Sequence, residues 1–210
     1  MIDADRILVV APHPDDEVVG CGGTLALAAA RGAVVHVVVV FDGALGDPEG
    51  RFEPSDYTER RRREAERAGA HLGIERYTFL GLPEGHLATD AELDEGAARL
   101  AQLVTEIEPD VILAPWAEDD HVDHRTVARA VERLVQQHAF TGEVWGFEVW
   151  SHLAPEHLVD VSSVWTEKVA AMQAHESQLA YADLEGQMTA LASRWGTGLH
   201  EGFARLGASA

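Results

Sequence analysis

The stretch Arg6-Ile7-Leu8-Val9-Val10-Ala11-Pro12-His13-Pro14-Asp15-Asp16-Glu17 decides how this chain is read. Its first six residues are short, apolar and rich in β-branched side chains, the pattern of a strand buried on both faces in the middle of a parallel sheet. Pro14 suits a tight turn or a helix start, and Glu17 to Arg31, rich in Ala and Leu, reads as a helix. The turn between them carries an imidazole and two carboxylates at the carboxyl end of a strand, where open α/β sheets bind ligands. Two acids at a helix N-terminus would also simply cap it and complement its dipole. His13 and Asp16, three residues apart across the turn, can both aim at one cation while Asp15 between them stays unligated. His with Asp suits zinc and leaves Fe²⁺ or Mn²⁺ open.

Gly20, Gly22 and Gly23 follow this turn. Their spacing is not the dinucleotide pattern, no Walker lysine is present, and two carboxylates would repel a pyrophosphate. The glycines are expected to let the first helix pack closely on the sheet. Cys21 among them is the single cysteine, so no intramolecular disulfide forms, and it reads as a small buried side chain.

Across 210 residues, 36 acidic side chains against 16 basic ones give a formal net charge of −20. That balance argues against nucleic acid and against docking on anionic membrane. Arg60-Arg61-Arg62-Arg63 is the one basic run. Glu64 and Glu66 follow it in an Ala-rich stretch, so most of these arginines are expected to pair along a solvated helix face. Met1-Ile2-Asp3-Ala4-Asp5 lacks the basic start of a signal peptide, and no apolar run is long enough to span a bilayer. A soluble, cytoplasmic protein is the expectation.

Further along, strands are expected at Val34 to Phe41, Tyr77 to Leu80 and Val111 to Ala114, with a less regular one at Val144 to Trp150 near a sheet edge. Helices are expected at Tyr57 to Leu72, ending near Gly73, then at Ala91 to Ile107, Asp123 to His138 and Ser163 to His175, the last capped by Ser162 or Ser163. Asp42 to Asp56, Leu82 to Thr89 and Trp116 to Asp120 read as loops. The remainder is rich in Ala and Leu, with a break at Gly196 and Gly198. This βαβα order predicts one α/β domain over residues 1–210, a mainly parallel sheet with helices on both faces.

A second chemical cluster, His121-Val122-Asp123-His124, repeats the context of the first. A buried strand ends, an acidic loop follows and a helix begins, so this cluster arrives on the same sheet edge as His13 and Asp16. The two clusters supply a third metal ligand and a spare imidazole, and three protein ligands with an open position make a catalytic zinc site. Asp15 can then accept a proton from a metal-bound water. His121 can stabilise an oxyanion or protonate a leaving amine, and Asp123 can orient an imidazole or cap the helix.

Ala11-Pro12-His13-Pro14-Asp15-Asp16-Glu17 with Gly22-Gly23-Thr24, and Ala114-Pro115-Trp116 with His121-Val122-Asp123-His124, resemble the two signatures of the LmbE-like de-N-acetylases related to N-acetylglucosaminyl-phosphatidylinositol deacetylase. Val122 stands where members usually have Pro. The resemblance covers nearly the whole chain. It implies a Rossmann-like fold, one Zn²⁺ held by His13, Asp16 and His124, Asp15 as general base and His121 as the charge-stabilising acid. Arg61-Arg62-Arg63-Glu64-Ala65 is similar to a family helix whose Arg reaches a sugar hydroxyl, which maps onto Arg61. Glu84, in Leu82-Pro83-Glu84-Gly85, sits where many members carry Asp and is assigned a sugar contact on the same ground. His175-Glu176-Ser177-Gln178 and Glu201-Gly202-Phe203 look like later family segments. The other histidines match no ligand position.

The expected activity is hydrolysis of an N-acetylated amino sugar or sugar conjugate to acetate and a free amine. Two other readings stay open: an amidase on a thiol-sugar conjugate, and a non-catalytic carbohydrate- or metal-binding protein. The expected partner is the small acetylated sugar. The resemblance extends to homo-oligomers, although no stripe in the sequence marks an interface.

Overall fold

The computed structural model describes residues 2–207; Met1 of the acidic N-terminal stretch and residues 208–210 lie outside the described residues. Seven strands, β1 (Arg6–Ala11), β2 (Val34–Phe41), β3 (Arg76–Leu82), β4 (Val111–Pro115), β5 (Glu143–Phe147), β6 (His157–Asp160) and β7 (His200–Arg205), form one sheet in the order β3-β2-β1-β4-β5-β7-β6. The first five run parallel. β7 is antiparallel to both β5 and β6. The chain turns from one half of the sheet to the other between β1 and β4, which makes their carboxyl ends a topological switch point.

Among the described residues, seven α-helices connect the strands: α1 (Asp16–Ala30), α2 (Pro54–Leu72), α3 (Asp90–Ile107), α4 (Val122–Gln136), α5 (Trp165–Gln173), the single turn α6 (Glu176–Leu179) and α7 (Leu184–Ala192). Alternation along β1 sorts them into two layers. Ile7, Val9 and Ala11 pack with Leu25, Leu72, Met172 and Met188 of α1, α2, α5 and α7. Leu8 and Val10 point the other way, to Leu93, Leu100, Val131 and Leu134 of α3 and α4. This is the expected α/β sandwich with helices on both faces.

Two glycines explain how α1 lies so close to the sheet. A Cβ on Gly20 would collide with the Phe147 ring and come within 2.9 Å of the Glu148 carbonyl, and one on Gly23 would meet Val161 Cβ at 2.6 Å. Gly22 has ordinary room. Cys21 is fully buried and its thiol donates to the Glu17 carbonyl. Burial pushes its pKa well up, so it is an inert packing residue.

Several expectations need correction. The strand expected near a sheet edge is the interior strand β5, because the chain tail returns β7 and β6 beyond it. Neither Ser162 nor Ser163 caps α5, which follows Val164 without a side-chain cap. Instead Ser162 Oγ accepts from the Leu199 amide. The arginine run does not lie wholly in solvent. Arg63 faces Glu59 on the exposed side and Arg60 pairs with the buried Glu64, but Arg61 is only 3% exposed.

Candidate active site

At the β1–α1 corner, Asp15 precedes the helix with φ 140° and ψ −25°, and its side chain makes no capping hydrogen bond. That conformation costs an L-residue on the order of 1–3 kcal/mol and persists only when neighbours enforce it. Glu17 Oε2 accepts the Asp15 amide at 3.2 Å, and Arg61 Nη2 donates to Asp15 Oδ2 at 3.1 Å. Burial pushes Asp15 up to about 7 against the pull of the Arg61 guanidinium. Glu17, fully buried under the Tyr77 hydroxyl, is pushed up to about 8 by the same cause. The twist at Asp15 separates the two neighbouring acids. Asp16 Oδ2 turns to the His13 amide at 2.9 Å and to His13 Nδ1 at 3.1 Å, while Asp15 turns toward Arg61.

At the β4–α4 corner the backbone is relaxed. His121 stands at the N-cap of α4 with φ −78°, and its Nδ1 accepts the Asp123 amide at 3.3 Å. The cap is therefore His121, not Asp123. His124, fully buried, brings Nε2 to 3.3 Å from Asp16 Oδ2 and Nδ1 to 3.2 Å from Asp119 Oδ1. Asp123 sits under His13, with Oδ2 3.2 Å from His13 Nε2, and accepts the Gly85 amide. The structure thus brings His13, Asp16 and His124 together around one carboxylate oxygen. Nitrogens of His13, His121 and His124 also lie within 4.8 Å of one another, as do ligand atoms of His13, Glu84 and Asp123.

Arg61 and Glu84 fall differently from a direct sugar contact. Arg61 turns both terminal nitrogens to the protein, Nη1 to the Gly43 carbonyl (2.9 Å) and Nη2 to the Pro14 carbonyl (3.0 Å) and Asp15, while its Nε is buried without a hydrogen bond. Glu84 accepts the Leu45 amide and lies 3.0 Å from His13 Nε2, its side chain 7% exposed. Both residues tie the single 3₁₀ turn Ala44–Gly46 to the charged floor of a cavity of about 250 Å³ that they line with His13, Asp15, Asp16, His121 and Asp123.

Asp119 carries no sequence motif, because it lies in an acidic loop with no periodicity. It is 1% exposed and accepts the amides of His121, Trp150 and Ser151 as well as facing His124. Burial raises its pKa, but His124 and these amides prevail and hold it low. The only signal available was its position between a buried strand end and His121.

The donor set fits a divalent cation. Both His124 ring nitrogens are buried without a hydrogen bond, though each faces a carboxylate. His13 and His124 each turn one nitrogen to Asp16 and the other to a carboxylate further out, Asp123 and Glu84 for His13 and Asp119 for His124. Ligating imidazoles are oriented this way, with a carboxylate on the second nitrogen fixing the tautomer. Burial lowers the pKa of both imidazoles, yet the carboxylates outweigh it. His13 ends well above its usual value and His124 at about 9. Such a pocket binds either protons or a metal.

Residues 8–135, more than half of the chain, match the PIG-L family, described as GlcNAc-PI de-N-acetylase. The chain belongs to this family of LmbE-like proteins. Among its relatives is a 1D-myo-inositol 2-acetamido-2-deoxy-alpha-D-glucopyranoside deacetylase of Mycobacterium sp. (strain KMS), 30% identical over 90% of this chain and 78% of that protein. The fold superposes with a TM-score of 0.84 on N,N'-diacetylchitobiose deacetylase from Pyrococcus horikoshii, at 23% identity, covering 97% of this chain and 84% of that one. It superposes with a TM-score of 0.80 on GalB, the 4-carboxy-2-hydroxymuconate hydratase of Pseudomonas putida KT2440, also at 23% identity, covering 96% of each. One fold therefore carries more than one reaction, and the chemistry has to be read from the site.

Proposed function

We propose that this protein is a zinc-dependent N-deacetylase that releases acetate from an N-acetylated amino sugar or sugar conjugate. The observation that carries the reading is the divergence of the two neighbouring acids. Asp16 turns to His13 and His124, while Asp15 is held off that cluster by Arg61 at the same cavity. A binding module needs ligands but no separate, strained, unligated carboxylate. Family membership and the deacetylase activity in the name of the mycobacterial relative point the same way.

A zinc ion held by His13, Asp16 and His124 would supply Lewis acidity toward the amide carbonyl and its attacking water. Asp15 then accepts the proton as water adds to the carbonyl carbon, and returns it to the nitrogen as the C–N bond breaks. His121 contributes as a neutral donor. Its Nδ1 accepts the Asp123 amide, so its proton is on Nε2, and burial together with His124 and His13 keeps its pKa low. That suits a hydrogen bond to the developing oxyanion better than delivery of a proton. Asp123 and Asp119 orient His13 and His124. Glu84 supports His13 and Arg61 supports Asp15, roles distinct from the sugar contacts that the family resemblance implies for them.

The test is release of acetate from N-acetylglucosamine and its glycosides, followed with and without chelator and on adding zinc back. Stoichiometric acetate and free amine, lost on chelation and restored by zinc, support the reading. Tight sugar binding without turnover would favour a binding protein, and turnover unaffected by chelation would remove the metal from the account.

A further inference from the structure

We infer that Trp150 and Leu45 form an apolar rim subsite that holds an uncharged second ring of the substrate, beyond the acetylated sugar. The inference rests on the deacetylase reading for the orientation of the substrate. Trp150 is 47% exposed and Leu45 is 68% exposed, and both line the same cavity as His13 and Asp15. Large apolar side chains left in water beside a charged floor are candidates for ligand contact.

Three observations make this rim a built feature. First, the cavity holds about 250 Å³, below the roughly 300–1,000 Å³ of ligand pockets. A sugar seated on the charged floor takes up much of that space, and whatever it is attached to is brought against the apolar side chains that line the same cavity. Second, both apolar side chains are mounted on the catalytic framework. The Trp150 amide donates to Asp119 Oδ2 at 3.0 Å, the carboxylate whose other oxygen faces His124. The Leu45 amide donates to Glu84, which faces His13. Third, the indole is unspent, making no hydrogen bond, ring contact or cation contact among the described residues.

Charge sets the class of occupant. Arg61 is the sole Lys or Arg lining the cavity among the described residues, and it is buried with both terminal nitrogens bonded to the protein. The same lining carries Asp15, Asp16, Glu84 and Asp123. A phosphorylated or otherwise anionic aglycone would meet acids and no free cation. An uncharged ring with an apolar face can lie against the exposed indole, whose π face is electron-rich.

The experiment compares wild type with Trp150→Ala and Trp150→Phe, all loaded with zinc, on N-acetylglucosamine and on diacetylchitobiose. Acetate release is read as kcat/KM, and binding of the same two sugars is read by calorimetry. Trp150→Ala should cost roughly tenfold on the disaccharide and less than about twofold on the monosaccharide, with Trp150→Phe recovering most of the loss. Equal losses on both sugars would mean that the indole acts through Asp119 on the floor, and would overturn the subsite. Wild type binding the disaccharide no better than the monosaccharide would overturn it too. So would an unchanged sugar preference in Trp150→Ala with a change of oligomeric state by light scattering, which assigns the indole to a second copy of the chain. N-acetylglucosamine 1-phosphate binding as tightly as diacetylchitobiose would overturn the charge argument. If wild type releases acetate from neither sugar, the deacetylase reading fails, and the calorimetric comparison still decides the subsite.

Discussion

The two corners that build the site solve one problem in opposite ways. At the β4–α4 corner the chemistry follows from local geometry: His121 caps its own helix in an ordinary extended conformation, and His124 one turn later points inward. At the β1–α1 corner Asp15 takes a φ of 140°, and contacts with Glu17 and with Arg61, 46 residues away, hold it there. A ligand needs only to face inward. On the proposed mechanism, a base beside a ligand has to be kept off the metal, and Arg61 on α2 is placed to supply that restraint.

The comparison predicts that the two corners break differently. Loss of His124 should be the most severe change. His124→Ala should remove most bound zinc while the protein stays folded by circular dichroism, and full occupancy by metal analysis would break the ligand assignment. Asp119→Asn, which leaves the imidazole but weakens its orientation, should lower metal affinity by roughly 10–100-fold.

At the other corner, Arg61→Ala should leave zinc content unchanged and reduce kcat by roughly ten- to hundredfold, the cost of a lost charged hydrogen bond. KM should change little, because both terminal nitrogens of Arg61 are bonded to Asp15, Pro14 and Gly43. A rise in KM at constant kcat would favour the sugar contact that the family resemblance implies for Arg61.

The smallest expected effect concerns pH. In the metal-free protein burial raises Asp15 from 3.8 to about 7 and Glu17 from 4.5 to about 8, while carboxylates raise His124 from 6.5 to about 9. Each folded-state value lies above the unfolded one. The stabilisation is therefore complete below the unfolded values and disappears as pH climbs through the folded ones. Chelated protein should have a lower Tm at pH 9 than at pH 6, by about a few degrees. Zinc should shrink that slope, since it displaces the imidazole protons. A Tm of chelated protein that rises over this range would contradict the charge arrangement.

Much of this was legible in the residues. The apolar run of β1, the histidine and acids after it and their echo after β4 predicted the parallel core and the convergence of His13, Asp16 and His124. The tail was not legible. β6 has four residues, β7 carries a glycine in mid-strand, and both pair antiparallel with partners far along the chain, so no local period announces them. Arg61 and Glu84 are legible as residues that line the cavity, but their bonds to Asp15 and His13 are not. Which side of a loop a long side chain reaches depends on how Ala44–Gly46 folds over it. Asp119 had no motif at all, because its three amide donors come from its own turn and from the bend after β5.

The central claim is that Asp15 is an unligated base held beside a metal cluster, and Asp15→Asn tests it most directly. Asparagine keeps the shape and can still accept from Arg61, but it cannot take a proton. At matched zinc content this variant should still bind the acetylated sugar and lose at least on the order of a hundredfold in kcat, the contribution of a positioned general base. Acetate release at the wild-type rate would contradict the account, and loss of zinc in Asp15→Asn would show that Asp15 is itself a ligand.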